Sequence, residues 1–162
     1  MMRLLWFFVG LVGLLGSGIG SAAEPGAQSQ QGRVEVVLAN EYRNEVEAIK
    51  REFAEAGLAN VHIQFMRQGQ PPSNLGLGRA VPAERARAAI RLAKKYNRGI
   101  TVLLPERLFP PTFITIASSN FDDTVEFPVS EETLAKLEDA ALTTDQFHEL
   151  YRQLTTARLE SR

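Results

Sequence analysis

Between Arg33 and Ala39 the chain reads RVEVVLA. This apolar run is nearly continuous and predicts a strand covered on both faces. After it the period changes. Tyr42, Val46, Ile49, Phe53 and Ala56 recur at helical spacing and form one stripe. Asn40 stands at the N-cap position of that helix with Glu41 in its first turn, where free backbone N–H groups favour an acceptor and a negative charge. Gly57 stands where the helix should stop. Asn60 to Met66 alternates, with Val61, Ile63 and Phe65 on one face and His62 on the other, and predicts a second strand.

Arg67 to Val81 breaks the pattern with Gly69, Pro71, Pro72, Gly76 and Gly78 and reads as a long loop, a length that often signals function. Pro82 suits the first position of a helix running to about Tyr96, with Gly99 as its stop. Ile100–Leu104 is a third, buried strand. Pro105–Pro111 turns the chain, and Thr112–Ala117 is a fourth strand antiparallel to the third; Val125–Phe127 is a short fifth candidate. Ser130 caps a helix over Glu131–Glu138 that buries Leu134 and Leu137. Thr143 and Gln146 form a capping box for a last helix lined by Phe147, Leu150, Tyr151 and Leu154.

This order predicts one α/β domain over 33–158, with residues 159–162 fraying at the C-terminus. Its sheet is small, mixed and mostly parallel (β-α-β-α-β-β), followed by two C-terminal helices. Strands joined through helices are expected to be parallel, with right-handed crossovers.

The N-terminal segment changes where such a domain would be found. Arg3 precedes the apolar run Leu4–Leu15, and small residues fill Gly16–Ala23. That is the order of a secretory signal peptide over residues 1–23, cleaved near Ala23, with 24–32 as a flexible leader. The expected location is periplasmic or secreted. The alternative is an uncleaved anchor, because no charge occurs from Leu4 to Ala23; the mature chain carries no expected membrane span. There is no cysteine, so disulfides, thiolate metal sites and a lipid-bearing cysteine are excluded. The chain has 18 basic and 19 acidic residues; losing Arg3 with the signal leaves it two charges negative. That balance gives no general attraction to nucleic acid or an anionic membrane, so any basic feature must be local.

Ligands of α/β sheets gather at the carboxyl ends of parallel strands, where loops lead into helix N-termini. The predicted topology gathers Asn40, Arg67, Gln68, Asn74, Gly76, Gly78, Arg79, Glu106 and Arg107 along that edge as ligand-binding candidates. The glycines permit close approach of a ligand, and the Arg79 fork suits a carboxylate or phosphate. Gly76-x-Gly78 lacks the third glycine of a dinucleotide loop, and no P-loop occurs. On the following helix Arg87, Arg91, Lys94 and Arg98 fall within roughly 60° of one another and are expected to form a solvated stripe opposite Ala86, Ala89, Ile90, Ala93 and Tyr96.

Leu108, Phe109, Pro110 and Phe113 form an apolar turn that either contacts a partner or folds back over the core. The segment Ser118–Asp123 reads as a turn. His62 and His148, the two histidines, stand outside any zinc-protease motif and are expected to be structural. No nucleophile elbow occurs after the signal, and no metal or cofactor is expected. These features favour a non-catalytic envelope module that recognises a protein or cell-wall polymer through the 67–81 edge. One alternative is a small exported hydrolase or transferase using Arg79, Glu84 or Glu106 at the same edge. Another is a subunit of an envelope assembly contacting partners through residues 108–113.

Overall fold

A computed structural model describes residues 32–121 and 128–160, with side chains through Thr155. The expected signal peptide, the leader before Gly32, Asp122, Asp123 and the strand at Val125–Phe127 lie outside the described residues. Strand β1 (Val34–Leu38) leads through a 3₁₀ turn (Asn40–Glu45) into helix α1 (Val46–Glu55), then β2 (Val61–Phe65). Asn40 begins the 3₁₀ turn without capping it; its side chain instead accepts from Arg43 Nε at 2.9 Å. The helix closes where Gly57 was expected to end it, with Gly57 N–H donating to Ala54 and Leu58 N–H to Phe53. Helix α2 (Ala83–Tyr96), β4 (Val102–Leu104), β5 (Ile114–Ile116), α3 (Glu131–Glu138) and α4 (Thr144–Glu160) follow the predicted order. Ser130 accepts from Thr133 N–H, and Thr143 and Gln146 bond each other reciprocally, so both predicted caps form.

One element departs from the sequence reading. Asn74–Leu77, inside the segment read as a loop, is a strand, β3, and all four of its residues are buried. Among the described residues the sheet has five strands in the order β2-β1-β5-β3-β4. β1 is parallel to β2 and β5; β3 is antiparallel to β5 and parallel to β4. Residues 67–73 therefore cross the sheet edge from β2 to β3, three strand spacings or roughly 14 Å. An extended segment containing Pro71 and Pro72 reaches that far. The crossing reverses the second half of the domain. α2 joins β3 to β4, and β4 runs opposite to β1 and β2, where the sequence reading made the helix-linked strands all parallel.

The register sorts the side chains. Val34, Val36 and Leu38 share a face with Ile63 and Phe65, Ile114 and Ile116, Leu75 and Leu77, and Leu103. With Ile49 and Phe53 of α1, Ala86, Ala89, Ile90 and Ala93 of α2, and Phe147 and Tyr151 of α4, they form the core, with Ile63 and Phe65 half-buried at its margin. α1 and the 3₁₀ turn before it meet α2 through Phe53 stacked on Tyr96 at 6.2 Å, Tyr42 of the turn edge-on to Tyr96 at 5.3 Å, and Glu52 accepting from Lys95 and Tyr96. The opposite face carries Glu35, His62, Thr115, Gly76 and Leu104. There the ring of Phe109 lies over Gly76, backed by Phe113 and Phe121 with centroids 5.9 and 5.7 Å away.

The basic stripe of α2 is not a free solvated face. Arg87 is buried and donates to the carbonyls of Asp139 and Leu142, and Lys94 bridges Glu131 and Glu138 of α3. Half the stripe is thus the seat of the next helix. Among the described residues no helix is long and apolar enough to cross a membrane.

Candidate functional site

The strand directions decide which predicted residues meet. The carboxyl ends of β1, β2 and β5 share one rim with the start of β3; the carboxyl ends of β3 and β4 lie at the opposite rim. Asn40, Arg67, Gln68 and Asn74 therefore belong to one rim, and Gly78, Arg79, Glu106 and Arg107 to the other, with Gly76 inside β3. The expected single edge is corrected into two, because β3 turns the second half of the sheet around. Asn74 is also occupied. Its amide donates to Ser118 O and Phe121 O and accepts from Ser118 N–H, which fixes the chain leaving β5 where Ala117 holds a φ of 60°.

Both glycines of the Gly76-x-Gly78 pattern serve packing. A Cβ on Gly76 would strike the ring of Phe109, and one on Gly78 would strike the backbone of Pro110 and Pro111. Gly78 N–H donates to Phe113 O and Ala80 N–H to Pro111 O, so the glycine lets the turn after β4 lie directly on the end of β3.

That docking builds a cleft of about 590 Å³ lined by Arg79, Pro105, Glu106, Arg107, Phe109, Pro111, Arg152 and Thr155. Its size falls within the range of small-ligand sites. Glu106 opens a 3₁₀ turn (Glu106–Leu108) directly after β4 and is buried. Its Oε1 contacts His148 Nδ1, while His148 Nε2 donates to Val81 O at 2.7 Å. A carbonyl only accepts, so Nε2 carries hydrogen. The pair ties α4 to the turn after β4 and to the entry of α2. Tyr151, one turn along, places its hydroxyl 3.0 Å from Leu75 O and 2.9 Å from Leu104 O. Burial first, and the Glu106 charge second, push its phenol far above the ordinary range, so it remains a protonated donor.

The cleft is electropositive. Among the described residues neither Arg79 nor Arg107 is ion-paired, and both are exposed. Arg152 is bonded to Glu149 at 2.7 Å and stands 3.9 Å from Glu106 Oε2; Glu149 and then Glu106 raise its pKa. Three guanidiniums thus line the same cleft as Glu106, a carboxylate that already has a partner. The arrangement suits an anion. It lacks an activated nucleophile: both nitrogens of His148 are engaged, and the Thr155 hydroxyl donates to Arg152 O at 3.0 Å. No group of three or more acidic or histidine side chains able to hold a metal occurs among the described residues.

Sequence reasoning placed Arg79, Glu106, Arg107 and Phe109 in candidate sets but missed Arg152, Thr155 and the partner of Glu106. His148, Arg152 and Thr155 follow at spacings of four and three on α4, a polar line beside the apolar stripe that signals a second surface on that helix. Comparison with known proteins finds no family model that matches the chain, and no curated protein or solved structure that matches it.

Proposed function

We propose that the protein is an exported, non-catalytic binding module of the cell envelope, which captures an anionic group of a protein or cell-wall polymer between Arg79, Arg107 and Arg152. Export rests on the Arg3, Leu4–Leu15 and Gly16–Ala23 pattern. Binding rests on one observation: the arginines line a cleft in which Glu106, the one acid among its described lining residues, is already committed to His148. The site is narrower than the 67–81 edge; of that segment, Arg79 alone lines the cleft.

The test is binding of labelled acidic and neutral polymers at increasing salt. Acidic probes should bind, and affinity should fall with salt and with Arg79→Ala or Arg107→Ala. Equal binding of neutral and acidic probes sinks the reading. The buried Glu106–His148 contact beside the arginines favours, as a second reading, a hydrolase or transferase using Glu106 as its acid or base. Turnover of a phosphate or carboxylate ester that is lost in Glu106→Gln would select it.

A further inference from the structure

We infer that the ligand is a peptide segment in which a carboxylate adjoins an apolar side chain. This rests on the anion-binding reading and narrows it from acidic polymers in general to protein partners.

Leu108 carries the inference. It is 47% exposed and is the exposed large hydrophobic residue among those described. The fold makes no use of it: Phe109 and Phe113 turn onto the sheet, but Leu108 belongs to neither the core nor that ring cluster. Its neighbours in the chain are Arg107, a cleft-lining cation, and Phe109, a cleft wall held by Gly76, Phe113 and Phe121. Pro110 and Pro111 are exposed beside them. Phe109 and Pro111 of this turn line the cleft beside the unpaired guanidiniums, and exposed Leu108 stands between Arg107 and Phe109 in the chain. A purely anionic polymer engages the arginines and leaves these apolar side chains wet. A peptide supplies both halves, with the carboxylate on the arginines and an aliphatic or aromatic side chain against Leu108, Phe109 and Pro111. The carboxylate is either a free C-terminus or an internal Asp or Glu side chain, which present the same chemistry.

Fluorescence anisotropy tests this with five probes: a dye-labelled hexapeptide ending in Leu-Leu as its free acid; the same peptide amidated; an amidated peptide with one internal Glu beside Leu; that peptide with Gln for Glu; and labelled polygalacturonate. At least one acid peptide should bind about 10-fold tighter than its neutral twin, and which one does identifies the source of the carboxylate. Leu108→Ser should weaken that peptide about 5-fold, leave polygalacturonate binding unchanged, and leave the thermal midpoint in place because the residue is exposed. If polygalacturonate binds as tightly as the acid peptides and Leu108→Ser changes nothing, the peptide inference is overturned while anion capture stands. If neither acid peptides nor polygalacturonate bind, both readings fall.

Discussion

Truncating His148 to alanine should be among the most damaging single changes available to this fold. The side chains of His148 and Glu106 are only 5% and 7% exposed. Removing the imidazole strands the Glu106 carboxylate, whose nearest cation is then Arg152 at 3.9 Å, itself half exposed and drawn towards Glu149. Breaking a buried pair in this way costs about 3–5 kcal/mol. The Val81 carbonyl also loses its donor, which adds about 1 kcal/mol. Against a typical domain stability of roughly 5–15 kcal/mol, the loss is a large fraction, and the thermal midpoint should fall by about 15 °C. Urea melts followed by far-ultraviolet circular dichroism measure the free-energy loss, and thermal melts measure the midpoint. The double variant His148→Ala with Glu106→Ala separates the stranded charge from the lost packing. It should be less destabilised than the two single losses added together, with a coupling of about 2–3 kcal/mol. A His148→Ala variant within about 1 kcal/mol of the parent, or single losses that simply add, would refute the clamp.

Gly76→Ala places a methyl group on the Phe109 ring and 2.8 Å from Thr115 Cγ2; it should cost about 1–3 kcal/mol in a urea melt, and an unchanged midpoint would show that the ring is not seated there. Arg79→Ala should weaken capture of acidic probes about 5-fold while leaving the thermal midpoint almost unmoved; a large fall in midpoint would make Arg79 a structural clamp. Hydrogen bonds from Lys95 and then Tyr96 lower the pKa of Glu52. Its folded value lies below its unfolded one, so its contribution is fully present above the ordinary carboxylate range and fades as pH falls through the depressed value. Glu52→Gln should therefore flatten the acid limb of the stability–pH curve, and two superimposable curves would exclude that role.

Periodicity was enough to find most of the fold. Ile49 and Phe53 on α1, the alanines of α2, and the caps at Ser130 and Thr143 stand where the pattern puts them, because each follows from local geometry. Asn74–Leu77 escaped because two polar or glycine positions in four residues erase the apolar signature of a strand. What buries it is non-local: Phe109 fills the space above Gly76, and Asn74 bonds a segment beyond β5. Missing that strand reversed β4 in the reading and merged two rims into one. The cleft was half legible. Arg79, Glu106 and Arg107 could be named as polar residues after predicted strands, whereas the match of Glu106 with His148, 42 residues away, depends on where α4 docks.

Among the described residues, the strand in the middle of the sheet is the last of the five along the chain. β5 alone connects the β1–β2 pair to the β3–β4 pair through backbone hydrogen bonds. Until Ile114–Ile116 emerges, a growing chain holds two separate two-stranded ribbons, and such ribbons are marginal on their own. Completion of this sheet must wait for β5, and a chain halted before Ile114 lacks the strand that joins its two halves.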